Sequence, residues 1–139
     1  MIMKNGVITV SGEHIGPGLL EQDFLRSSLN AASHLEGAND GYTRYRGRGT
    51  LENGLSCFFT LIFYKGVLRL MTWKPVWSGT PTSWRDWSEN EELKIKELND
   101  ELLKKYLGPP PYKYGWGTIE SDYDARGGSS SIVISYAKQ

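Results

Sequence analysis

Of the 139 residues only one is cysteine and two are histidine, and the sixteen basic side chains are matched by sixteen acidic ones. A lone thiol excludes an internal disulfide framework. Cys57 lies inside "LSCFFTLIF" with no Lys, Arg or His adjoining it, so it reads as a small buried hydrophobe rather than a reactive group. His14 and His34 are too few for a multi-histidine metal site, and neither fits an HExxH spacing. With no net charge, the chain lacks the usual electrostatic reason to wrap DNA or bind an anionic membrane, so neither is an expected partner. No run approaches the ~20 apolar residues of a spanning helix. The opening "MIMKNGVITVSGEH" has no continuous apolar segment of the signal-peptide kind, and a soluble, cytoplasmic protein is expected. There is no GxSxG elbow, and no glycine-rich loop leads a strand into a helix. Neither a catalytic residue nor a cofactor is expected.

What the chain does have is aromatic and apolar volume. Five Trp, eight Tyr and four Phe, with 39% hydrophobic and 23% charged residues, suit one globular domain spanning residues 1–139. "GVITV" reads as a first strand, and "GPGLLEQDFLRSSL" as a short amphipathic helix with Pro17 near its start. Residues 30–41, with "EGANDG", read as a loop; "YTRYRGRGTL" reads as a strand whose glycines suggest an edge or a bulge. "LSCFFTLIFYKGVLRLMTW" is apolar on both strand faces and predicts a central hairpin covered on at least one side by a helix. "SENEELKIKELNDELLKKYLG" predicts a long helix. Its capping box is Ser88 with Glu91, its apolar stripe Ile95, Leu98, Leu102 and Tyr106, and its ion pairs Glu92–Lys96, Asp100–Lys104 and Glu101–Lys105. "WGTIESDYDARGGSSSIVISY" invites a phosphate-loop reading, but its glycines lead into a strand, so a β-hairpin is predicted. The expected fold is α+β: one antiparallel sheet of five or six strands with one long and one short helix packed on it.

Three groups of residues are candidates for function. Arg44, Arg46 and Arg48, at period two in a strand, put three guanidinium groups on one face beside Tyr42, a composition favoured in interface hot spots. The alternative is a charge-protected edge strand, its arginines paired with Glu120 and Asp122. Asp86, Glu89 and Glu92 gather at the start of the long helix, where they complement its dipole or oppose a cationic partner. Trp84, Trp87 and Trp116 with Glu120 or Asp122 could form a sugar-stacking or hydrolytic site; the structural alternative is that the tryptophans clamp the helix to the sheet.

The segments "SWRDWSENEELKIK", "LLKKYLG" and "YGWGTIESDYDARGGSSSIVISY" are similar to a family of small, mostly uncharacterised bacterial proteins with an SWxxWS…WGxI…YDxxGGSSxIxIxY pattern. That resemblance carries no catalytic residue. In size and style the chain also resembles immunity proteins of bacterial toxin systems, including contact-dependent growth inhibition, which would imply stoichiometric binding of a cognate toxin. The expected function is thus non-enzymatic protein binding through the arginine strip or the acidic helix start. The alternatives are a small-ligand or carbohydrate binder, or a hydrolase, using the Trp and carboxylate residues. A homodimer formed through edge strands is a third.

Overall fold

The computed structural model describes residues 4–77, 89–124, 126 and 129–136. In chain order the elements are β1 (Ile8–Val10), β2 (Glu13–Ile15), α1 (Glu21–Arg26), a 3₁₀ turn (Ser28–Ala32), β3 (Ser33–Asn39), β4 (Tyr42–Thr50), β5 (Ser56–Tyr64), β6 (Val67–Pro75), α2 (Glu89–Leu107), β7 (Tyr112–Tyr114), β8 (Gly117–Asp124) and β9 (Ser129–Tyr136). The class is α+β, as the sequence predicts. The sheet is larger than predicted: seven antiparallel strands in the order β3-β4-β5-β6-β9-β8-β7, with β1 and β2 forming a separate small hairpin.

The strands that the pattern does not announce are β3 and β7. All of β3 except Ser33 is exposed, so it carries no apolar alternation to read. The "NDG" that looks like loop closes a tight hairpin, with Asp40 at φ 51° and Gly41 at φ 85°. The same two-residue geometry recurs at Lys65 (φ 48°) and Gly66 (φ 84°) between β5 and β6. Because β3 occupies the margin, β4 is an interior strand and its glycines need another explanation. A Cβ on Gly49 would stand 2.3 Å from Val10 Cγ1, and one on Gly47 would stand 2.7 Å from Ala32 O and from Phe59 Cζ. These glycines let the N-terminal hairpin and the 3₁₀ turn lie directly on the sheet.

Register places one line of buried side chains across six strands: Tyr45, Leu61, Met71, Ile134, Ile119 and Tyr112. Over β4 and β5 this face is covered by α1, whose Phe24 ring packs on Tyr45 and Phe63 at 5.0 and 5.7 Å between centroids. Tyr45 donates a short hydrogen bond to Glu21 of α1. Over β8 and β9 it is covered by α2. That helix buries Ile95, Asn99, Leu102, Leu103 and Leu107, while Leu98 is 40% exposed. Its inner stripe is therefore turned from the predicted one, because it accommodates Asn99, whose Oδ1 accepts a bond from Trp77 Nε1 at 3.0 Å. The ion pairs differ as well: Lys96 pairs with Asp100 and Lys94 with Glu91. Gly108, at φ 82°, ends the helix with its N–H donating to Lys104 O. Ser88 of the predicted capping box lies outside the described residues.

Gly49→Ala should destabilise the protein by about 1–3 kcal/mol, since Val10 must move to admit the methyl group; urea unfolding measures this, and a cost below the scatter of surface substitutions would contradict the packing described. The fold should also weaken in alkali. Burial pushes the Tyr45 phenol up to about 12, helped by the neighbouring Glu21 carboxylate, and burial raises that of Tyr136 too. The folded chain thus holds protons that the unfolded chain releases above pH ~10. Stability is complete below that pH and falls as pH rises beyond it. Urea midpoints that stay level from pH ~8 to ~11 would refute this.

Candidate binding face

Side chains alternate along a strand, so the buried line dictates what the opposite face carries. The neighbouring line runs Arg46, Thr60, Thr72, Val133, Glu120 across β4, β5, β6, β9 and β8. Arg48 continues to Phe58 and Lys74 in the next line, and Arg44 to Ile62, Leu70, Ser135 and Thr118 in the one before. Among the described residues no helix or strand covers these lines, for α1, the 3₁₀ turn and α2 all sit on the other face. The predicted arginine strip is thus real, and its three residues are exposed along β4 together with Tyr42.

Sequence reading did not anticipate how the strip is extended. The register shifts between Ile62 and Phe63, so β6 carries one extra residue, Arg69. Its guanidinium lies 5.1 Å from the centroid of Tyr64, which packs on Tyr42 at 4.6 Å. Lys65 approaches the same Tyr64 ring at 5.3 Å, and Arg48 sits 4.9 Å over Phe58. Cation–π contacts at exposed sites contribute about 0.5–1 kcal/mol each, which favours the guanidinium groups lying near the rings. A second shift, on β3, presents Glu36 to Arg46 at 3.3 Å. Arg44 has no ion pair among the described residues. It lines an open cavity of about 640 Å³ with Tyr42, Ile62, Arg69 and Leu70, and Glu36 and Asp40 also line it. Only the bulge brings Arg69 there, and no sequence signal marks it.

Glu120, Asp122 and Asp124 are exposed on β8. They share the open face with the arginines, but four strands away, about 19 Å at ~4.8 Å per strand. The suggested pairing of Arg44, Arg46 and Arg48 with Glu120 and Asp122 within one molecule is therefore excluded by strand order. Trp116 does not join those carboxylates. Its ring stacks on Tyr114 (5.4 Å, 12°), meets Tyr136 from the buried face, and donates Nε1–H to Lys4 O at 2.6 Å. It holds the N-terminal segment against the sheet, so its role is packing. Trp84, Trp87 and Asp86 lie outside the described residues.

The acidic helix start also divides. Glu89 is exposed, but Glu92 ties α2 to β9: its Oε2 accepts the Ser130 N–H at 3.0 Å, and its carbonyl accepts the Ser130 hydroxyl at 2.7 Å. Ser130 is fully buried, so the serine run after the glycines anchors the helix. The turn before it begins with Asp124, whose Oδ1 accepts the Arg126 N–H at 3.0 Å, as the hairpin reading requires. A second cavity, about 440 Å³, lies between α2 and β7–β8, where Lys96 and Asp100 satisfy each other. Among the described residues no three His, Cys, Asp or Glu side chains gather to hold a metal ion, and no helix is long and apolar enough to cross a membrane. Cys57 is buried, and desolvation pushes its thiol up to about 11, away from reactivity.

Compared with protein-family models, curated proteins and solved structures, the chain matches none.

Ser130→Ala removes a buried hydroxyl from the Glu92 carbonyl and should cost about 1–3 kcal/mol. Arg48→Ala, on an exposed side chain, should cost under about 1 kcal/mol. Chemical denaturation of both variants tests the contrast, and equal costs would contradict the division between anchor and surface.

Proposed function

We propose that the chain is a non-enzymatic protein-binding protein of the immunity or inhibitor type, which neutralises a cognate bacterial toxin by stoichiometric binding through the open face of its sheet. The observation that carries this reading is the sheet face that no described helix or strand covers. Arg44, Arg46, Arg48 and Arg69 stand among Tyr42, Phe58 and Tyr64, with Phe58 38% and Tyr42 43% exposed. Arginine and tyrosine dominate binding hot spots, because each offers a large flat contact and directional hydrogen bonds at modest entropic cost. An acidic patch on the partner, bordered by apolar groups, fits this surface. The resemblance in size and style to toxin immunity proteins points the same way. The rival small-ligand or carbohydrate reading loses Trp116, which is engaged in packing on the opposite side of the sheet from Glu120.

The test is affinity capture from native lysate with the wild type and with Arg44, Arg46 and Arg48 changed together to Glu, followed by titration of the captured protein. A one-to-one partner bound at least ~100-fold more weakly by the triple variant is expected, given hot-spot costs above ~2 kcal/mol. A partner bound equally by both proteins would overturn the reading.

A further inference from the structure

We propose that the open face also packs on the open face of a second copy of the chain, about a two-fold axis running along β6. The face is self-complementary in charge. In the order β3-β4-β5-β6-β9-β8-β7, β6 is the middle strand, the arginines lie two strands to one side on β4, and the carboxylates lie two strands to the other side on β8. A half-turn about an axis parallel to β6, in the plane between two facing sheets, exchanges the two sides without changing position along the strands. It sets β4 over the partner's β8, β5 over its β9 and β6 over its β6.

Strand register then matches the charges. Arg46 and Glu120 belong to one cross-strand line, so the rotation brings the Arg46 level of one copy to the Glu120 level of the other. Arg48 lies one line further along, as Asp122 does on β8. Facing sheets pack ~10 Å apart with strands inclined by about 30°, so strip meets strip and single residues need not meet head-on. Between the strips the face carries the neutral or apolar Phe58, Thr60, Ile62, Leu70, Thr72 and Val133, with two cations on β6, Arg69, which lies against the Tyr64 ring, and Lys74. Leu70 and Thr72 meet their own counterparts at the axis. Lys74, also on the axis strand, is drawn toward β9 by donating to Ser129 Oγ at 2.6 Å.

Two further facts favour the face over an edge-strand dimer. The β3 edge is broken by its bulge at Glu36 and Gly37, and β8 beyond its short pairing with β7 carries Glu120, Asp122 and Asp124. Such irregular or charged margins resist strand addition. The zero net charge leaves no overall repulsion between copies. The proposal does not depend on toxin binding, although a partner meeting the arginines would compete with the second copy.

Sedimentation velocity on the purified full chain tests it. The wild type should show a concentration-dependent monomer–dimer equilibrium, weakened by salt. Arg46→Glu with Arg48→Glu makes both strips acidic; Glu120→Arg with Asp122→Arg makes both basic. Each double variant alone should lose dimer by more than about tenfold, and an equimolar mixture of the two should recover it as a heterodimer. A wild type that stays monomeric throughout, or variants that dimerise as the wild type does, would overturn the proposal. Equal capture of a partner by the wild type and the Arg44, Arg46 and Arg48 triple variant, with dimerisation behaving as above, would instead count against the functional reading alone.

Discussion

A line of six buried side chains, Tyr45, Leu61, Met71, Ile134, Ile119 and Tyr112, crosses the sheet beneath the two helices. Its parity governs the molecule. With a period of two along each strand, fixing these six inward sends Arg44, Arg46 and Arg48 outward on β4 and Glu120 and Asp122 outward on β8, and a one-residue slip in any strand would exchange the faces. The cover on the inner side is assembled from both ends of the chain. Phe24 locks over Tyr45 and Phe63, the N-terminal hairpin rests on Gly49 and the 3₁₀ turn on Gly47, and Glu92 holds α2 to Ser130. Among the described residues, all of that closure lies on one side of the sheet.

An uncovered sheet face is ordinary in antiparallel proteins, provided that it is polar. This one is divided into a cationic strip with aromatic neighbours, a largely apolar centre that also carries Arg69 and Lys74, and an acidic strip. Strand order keeps the two strips about 19 Å apart, so they cannot neutralise each other within one molecule. Within the molecule the cationic strip meets only Glu36, which pairs with Arg46 at 3.3 Å, among the described residues. That combination supports the reading as a binder, whether the other molecule is a toxin, a second copy, or each in turn.

Much of this frame was legible in the sequence, for identifiable reasons. The β5–β6 hairpin announces itself by apolar alternation on both faces, α2 by its charge pairs and stripe, and the β8–β9 hairpin by alternation around an Asp and glycines. The arginine spacing placed three guanidinium groups on one face, which the register bears out. Other features leave no local mark. β3 is exposed nearly throughout and has no pattern to offer. The bulge that adds Arg69 exists only because β5 and β6 fall out of step at Ile62 and Phe63. The phase of the α2 stripe depends on a buried Asn99 that counts as polar in any periodicity. Whether Glu120 could reach Arg46 depends on strand order, which composition does not encode.

The most direct test of the central claim, that one face is closed and the other open for binding, is nuclear magnetic resonance of methyl groups in dilute protein with a soluble paramagnetic agent. Ile62, Leu70 and Val133 should be strongly relaxed while Ile119, Ile132 and Ile134 are shielded, and the first set should become protected as a partner or higher protein concentration occupies the face. Equal shielding of both sets in the dilute monomer, or protection that develops elsewhere on binding, would contradict the account.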